Sequence, residues 1–270
     1  MTEVSVIVPT FRREKQVVEA VESALAQRAV RVEVIVLDDS PDASAKDAVL
    51  AIGDPRVRYV ARATPTGGVP ALVRNEGLAL ARGAFVHFLD DDDRLVEGAL
   101  AALVGALERT PRAGVAFGWV MPFGDDPDVL ARQTAYFEAA RSRARLRRTR
   151  RDLVSYLLFQ STLLVNSACL HRRDVVRGIG GYDPDIARCE DVELVLRAVR
   201  ASDFVYVDRP VLHYRTGASS LMHDLSADDT RVADSYRIIH DKYRASHGRL
   251  EHAALKAWAR LSDRVARLGR

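Results

Sequence analysis

Short runs of β-branched and aromatic residues alternate with longer helical patterns through the first half of the chain. No other sequence feature restricts the fold as strongly. Val4–Val8 is stopped by Pro9, and Val17, Val18, Val21, Ala24 and Leu25 then recur at helical spacing between Glu14 and Gln27. Val32–Leu37 ends at Asp38 and Asp39, a helix is predicted over Ala43–Ile52, and Val57–Ala61 reads as a third strand. The Thr64–Gly68 turn leads to a helix over Pro70–Ala81, ended by Gly83. Ala84–Leu89 then runs into Asp90, Asp91, Asp92 and Asp93, ahead of a helix from Leu95 to Arg109 and a strand at Val115–Val120. Such alternation predicts parallel βαβ units, whose ligands sit beyond the carboxyl ends of the strands. The carboxylates lie there.

The second half is less regular. Asn166–Arg172 reads as a strand, Glu190 and Asp191 open a helix, and Phe204–Val207 and Val211–Tyr214 read as two short strands. Two basic amphipathic helices follow from Asp229. With 270 residues, 48% of them hydrophobic, a sizeable core forms and wholesale disorder is excluded. Cys169 and Cys189 are too few for a disulfide framework or a cysteine zinc site. The net charge of +3 does not point to nucleic acid. Glu3 precedes a five-residue apolar run too short for a signal peptide. The uncharged stretch Leu153–Leu170 holds Ser155, Gln160, Ser161, Thr162, Asn166 and Ser167, so no membrane span is predicted. A cytoplasmic setting follows as the expectation.

Three acidic clusters carry the candidate chemistry. Adjacent carboxylates at Asp90–Asp93 repel one another unless hydrated or neutralised, and a divalent cation shared with substrate phosphates would neutralise them. A solvated turn capping the next helix accounts for the run equally well. Asp38 and Asp39 suit a base or ribose contact, or an Asx-turn. Glu190 and Asp191, taken alone, suit the start of a helix.

Taken in order, VSVIVPTFRRE, VIVLDDS, VRNEGLALARG, FLDDDD and the later Glu-Asp pair resemble glycosyltransferase family 2 over about residues 3–215. That resemblance implies an inverting enzyme of the GT-A fold: a Rossmann-like, mostly parallel sheet flanked by helices. It implies a nucleotide-sugar half (about 1–118), an acceptor half (about 119–215) and a C-terminal helical extension (216–270). Carried onto this chain, it places the nucleotide sugar against Pro9, Thr10, Phe11, Arg12, Asp39, Arg74, Asn75 and Asp91. It places Mn²⁺ or Mg²⁺ on Asp90 and Asp92, acceptor binding on Glu190 and the general base on Asp191. For a third metal ligand the sequence offers His213 or His223, each of which reads first as an ordinary surface or core histidine.

The donor implied is a nucleotide-diphosphate sugar, with UDP-sugars foremost. The acceptor is a carbohydrate, a natural product or a lipid-linked sugar. The Gln-x-x-Arg-Trp motif of processive synthases is absent, so one sugar is added per encounter. The run Arg141–Arg151 reads first as a solvated or disordered loop near the acceptor. Its other readings are a grip on an anionic acceptor and, with the C-terminal helices, peripheral contact with the inner face of the membrane. Those helices also leave a homodimer open. Two other functions compete: a sugar-1-phosphate nucleotidyltransferase, and a catalytically silent nucleotide-sugar-binding partner. A receiver-like signalling domain gives no reason for the distant Glu-Asp pair.

Overall fold

In the computed structural model β1 (Val4–Thr10) is central to its half of the sheet, pairing in parallel with β2 (Val32–Asp38) on one side and β4 (Phe85–Phe88) on the other. β3 (Val57–Ala61) extends the parallel set beyond β2. The structure describes residues 3–67, 69–146, 149–160, 164–217 and 230–268, with side chains to 262, so Gly68, Arg147, Arg148 and His223 lie outside the described residues.

Side chains alternate across these strands, so each face needs its own apolar cover. Val4, Val6 and Val8 share a core with Val17 and Val21 of α1 (Glu14–Leu25) and Leu100 and Leu103 of α4 (Ala99–Arg109). Ile7, Ile35 and Leu37 face the other way, onto Ala71, Val73 and Leu78 of α3 (Pro70–Leu80). A Cβ at Gly77 would lie 2.4 Å from Ile7 Cγ2, so glycine lets the α3 backbone press onto the sheet. The short helix α2 (Lys46–Leu50) joins β2 to β3.

The remaining strands are β5 (Arg94–Leu95), β6 (Ala113–Phe123), β7 (Cys169–Arg172) and β8 (Asp203–Arg215). The sheet order is β3-β2-β1-β4-β7-β6-β8-β5. β7 runs antiparallel to both neighbours and β5 antiparallel to β8, while β6 and β8 are parallel. The parallel expectation therefore holds for β1 to β4 and for the β6–β8 pair, and fails where β7 and β5 enter the sheet. β7 returns between β4 and β6 after a helical excursion, and an antiparallel return needs no crossover helix.

Other differences have local causes. The two short strands predicted near 204–214 form one strand, whose register shifts beside Pro210, a residue without an N–H to give the ladder. Leu95 belongs to β5, and the helix expected to start there begins at Ala99. The arginine run is not a loop where it is described. Arg141, Arg143 and Arg145 lie in α5 (Pro127–Leu146), and Arg150 and Arg151 open α6 (Arg150–Phe159). Arg141 and Arg145 bond Asp208, and Arg150 bonds Asp203.

α7 (Arg173–Gly178), α8 (Glu190–Ala201), α9 (Arg231–His247) and α10 (Arg249–Leu268) complete the chain. Val115 and Phe117 of β6, Leu153 and Leu157 of α6, and Val192 and Val195 of α8 share a core with Tyr243 of α9 and Leu255 of α10. Ser155 Oγ donates to the Leu255 carbonyl at 2.9 Å and Gln160 Nε2 to the Ala259 carbonyl at 2.8 Å. The C-terminal helices are thus part of the second half's interior.

Candidate active site

Arg74 joins two of the acidic clusters. Its helix α3 leaves the guanidinium almost fully buried, with Nη1 2.5 Å from Glu190 Oε1 and Nη2 2.7 Å from Asp90 Oδ1. Burial alone would lower its pKa, but Asp90, Tyr182 and Glu190 more than offset that and hold it raised. Glu190 and Asp90 are a hundred residues apart in sequence and share one cation across the strand ends. Asp191 belongs to the same group: its carboxyl is pushed up to about 7, first by burial and then by Glu190, with Arg74 opposing. A carboxylate poised there accepts a proton near neutral pH.

The other aspartates are tied from β1 and its loop. Thr10 Oγ1 donates to Asp91 Oδ2 at 2.7 Å, and Arg13 Nη1 reaches Asp91 Oδ1 at 2.8 Å and Asp92 Oδ2 at 2.7 Å. Burial raises Asp91 to about 6 and also raises Asp92, with Arg13 pulling both down. Asp93 is raised well above its usual range, by burial and then by Asp92 and Asp90, with the Arg215 amide and Ser167 opposing. Its Oδ1 accepts from the Arg215 amide at 3.0 Å, while Oδ2 is buried with no hydrogen-bond partner.

Asp38 and Asp39 have different surroundings. Asp38 is fully buried and accepts from the Ser40 and Ala45 amides and the Tyr59 hydroxyl, so it closes the β2–α2 turn. Asp39 accepts from Arg62 Nη1 at 2.7 Å, the Thr66 amide at 2.9 Å and Thr66 Oγ1 at 2.6 Å. It thereby ties the β3–α3 loop to the end of β2. Asn75 exchanges two 2.8 Å bonds with the Tyr182 backbone. Its amide fixes the Gly180–Gly181–Tyr182 turn that leads toward Glu190. Gly181 has φ +71°, and a Cβ there would sit 2.4 Å from Asn75 Oδ1.

Of the β1-end residues, Pro9 and Thr10 finish the strand, Phe11 is 47% exposed, and Arg12 turns outward at φ +53° with its guanidinium over the Phe11 ring. Arg13 supplies the cation on the aspartates. The sequence reading missed it, because Arg12 and Arg13 are chemically identical and only the backbone turn separates them. His213 lies on β8, its ring edge-on to Phe123 at 6.3 Å, with its pKa lowered by burial and Arg94.

Three tyrosines from separate elements also come near these acids. Tyr214 precedes Arg215, whose Nε donates to the Asp92 carbonyl at 2.9 Å. Tyr136 precedes Phe137, whose ring meets Tyr214 edge-on at 5.2 Å. Tyr236 follows Ser235, whose hydroxyl accepts from the Arg188 amide at 3.0 Å, just ahead of the Glu-Asp pair. Asp191 and Tyr136 both help to raise the Tyr236 phenol, after burial and Cys189. Such positions give no sequence signal, since they depend on how α5, β8 and α9 pack.

The family model described as glycosyl transferase family 2 matches residues 5–180, more than half of the chain. The chain belongs to glycosyl transferase family 2. Succinoglycan biosynthesis protein ExoO of Rhizobium meliloti is 38% identical over 42% of this chain and 31% of its own length. A GalNAc(5)-diNAcBac-PP-undecaprenol beta-1,3-glucosyltransferase of Campylobacter jejuni is 41% identical over 38% of this chain and 34% of its own. The matched segments thus span about a third of each of these two curated relatives. Among solved structures, S. aureus TarS 1-349 in complex with UDP-GlcNAc superposes with a TM-score of 0.67 at 18% identity. That match covers 90% of this chain and 67% of the other and shows a shared fold. The acidic basin of this family 2 chain lies at the carboxyl ends of β1, β2 and β4, where such a sheet presents its ligands.

Proposed function

We propose that this chain moves a glycosyl group from a nucleoside diphosphate sugar to an acceptor hydroxyl, with inversion and one transfer per encounter. The observation that carries the reading is Arg74 bridging Asp90 and Glu190, which draws the strand-end aspartates and the Glu-Asp pair into one basin. The acceptor oxygen attacks the anomeric carbon while the bond from that carbon to the phosphate oxygen breaks, its electron pair leaving on the diphosphate. The hydroxyl proton passes to the Asp191 carboxylate. Proton removal of this kind contributes about 10²–10⁴-fold to a rate.

Each side of the basin has its own task. Pro9, Thr10, Phe11, Arg12 and Asp39 receive the nucleotide at the ends of β1 and β2, and Asp91 lies toward the ribose and donor sugar. Arg74 and Arg13 bring positive charge toward the diphosphate, and Asn75 holds the turn behind them. Glu190 orients the acceptor, and Tyr136, Tyr214 and Tyr236 border its approach to Asp191. UDP-sugars are the first donors to test, because TarS, of the same fold, has been solved with UDP-GlcNAc and with UDP. The Campylobacter relative is named for a diphosphate-lipid-borne acceptor, which makes a lipid-linked sugar the first acceptor to test.

Among the described residues no group of three His, Cys, Asp or Glu side chains is arranged to hold a metal ion. The hard oxygens of Asp90 and Asp92 nevertheless suit Mg²⁺ or Mn²⁺, which is commonly bound by one or two carboxylates and completed by substrate phosphates. The raised pKa of Asp92 and the unpartnered Asp93 oxygen mark an excess of acid that a cation would offset. When bound, such an ion acts as a Lewis acid on the departing diphosphate.

The reading is tested with UDP and UDP-sugars, each with and without Mn²⁺. A rise in melting temperature that needs the metal and disappears in Asp92→Ala supports it. Release of pyrophosphate from a nucleoside triphosphate, in place of nucleotide release from a sugar nucleotide, would replace it with nucleotidyl transfer.

A further inference from the structure

The helix α10 has two apolar faces, and only one belongs to the core. Leu255 and Ala259 are 5% and 3% exposed and pack into the second core. On the opposite side Leu250 is 89% exposed and Leu261 54% exposed, with exposed Ala254 and Ala257 between them. These four fall at i, i+4, i+7 and i+11, one stripe along the helix. Leu250 alone would need no explanation. A continuous stripe on a helix already anchored by its other face does.

The two borders of the stripe differ. Arg249, Lys256 and Arg260, all exposed, follow one edge at helical spacing. On the other edge Trp258 lies half-buried, its indole Nε1 donating to Asp152 at 2.9 Å and the exposed Arg151 guanidinium 4.3 Å above its ring. Glu251, on that same side, is bonded to Arg200 at 2.7 Å and to Tyr243 at 2.8 Å.

We propose that this face of α10 rests on an anionic lipid surface, with Leu250 and Leu261 entering the headgroup boundary and the flanking cations meeting lipid phosphates. A helix with an apolar stripe beside a basic edge, and an indole at its other border, binds in this way. Among the described residues no helix is long and apolar enough to cross a membrane, so the helix lies on the surface. A second copy of the chain fits less well: pairing two stripes antiparallel sets the Arg249, Lys256 and Arg260 edge of one against the same edge of the other. Anionic lipid neutralises that edge. The inference stands on α10 alone and does not depend on the sugar-transfer reading.

The experiment is co-sedimentation of the full chain with vesicles of phosphatidylcholine alone and of phosphatidylcholine with phosphatidylglycerol. The expected result is pelleting with the anionic vesicles only, weakening as salt rises. Leu250→Glu with Leu261→Glu should lower the partition coefficient by about ten-fold or more, and Lys256→Glu with Arg260→Glu by a similar factor. Both pairs are at exposed positions, so unchanged melting temperatures accompany the loss. If the glutamate pair melts lower, Leu250→Gln with Leu261→Gln replaces it and must show the same loss. Failure to pellet on anionic vesicles, or pelleting unchanged by the leucine substitutions, overturns the proposal. So does light scattering that shows a dimer which the leucine pair converts to monomer while vesicles go unbound.

Discussion

The two halves of this chain build their share of the basin differently. In the first half, β1, β2 and β4 run in parallel, and each delivers its polar residues at its own carboxyl end: Thr10, Asp38 with Asp39, and Asp90 with its neighbours. The second half has no such repeating device. Glu190 and Asp191 follow a turn held by Asn75, begin a helix whose cap residue Cys189 sits at φ +57°, and take their cation from α3. The proposed donor side is thus built locally at strand ends, while the proposed acceptor side depends on contacts between distant segments.

Substitutions can break that contrast, and the largest effect should come from Asp191→Asn. Transfer should fall about 10²–10⁴-fold in single-turnover assays while UDP affinity is unchanged. An equal loss of UDP affinity would show that the halves are not separable. Arg74→Met leaves Asp90 and Glu190 without their shared cation, and urea unfolding should show a loss of about 3 kcal/mol, reduced somewhat because Asp90 is partly exposed. Leu255→Ala, in the core built with the C-terminal helices, should cost about 2–3 kcal/mol by the same measurement. A loss near zero there would mean that the hairpin is an appendage.

The pH dependence sharpens the same contrast. A base held at about 7 must be deprotonated to act, so transfer should decline by about ten-fold per pH unit below that point. The stability sign is opposite. A raised carboxyl pKa favours the folded protonated form, so its contribution is present in acid and is lost as pH rises through about 7. The smallest effects distinguish two neighbours: Arg13→Ala should weaken UDP binding about ten-fold in titration calorimetry, and Arg12→Ala by less than about two-fold. Equal losses would assign the exposed Arg12 a share of the diphosphate.

The parallel half was legible because strand ends, turns and carboxylates coincide within a few residues, so Asp39, Asp90 and Asp92 could be placed from local pattern and family resemblance together. Arg13 was not, since the side-by-side arginines are sorted only by the positive φ of Arg12. The helix α5 was hidden because it buries only Phe137, Ala140 and Ala144, too narrow a stripe to stand out among its arginines. Pro210 divided β8 in the sequence, while the structure carries the strand past it with shifts in register. Tyr136, Tyr214 and Tyr236 come near the acids through packing alone, which one-dimensional periodicity does not encode.

The Ser235 hydroxyl, by taking the Arg188 amide, clamps the backbone three residues before Asp191 to the start of α9. Lys242 adds a second clamp on Asp183 and Asp185. Since α9 and α10 pack as a hairpin, tilting that hairpin re-aims the carboxylate at the far end of the lever. If Asp191 is the base proposed above, these helices act as a rudder, and whatever they lean on steers which hydroxyl comes within its reach.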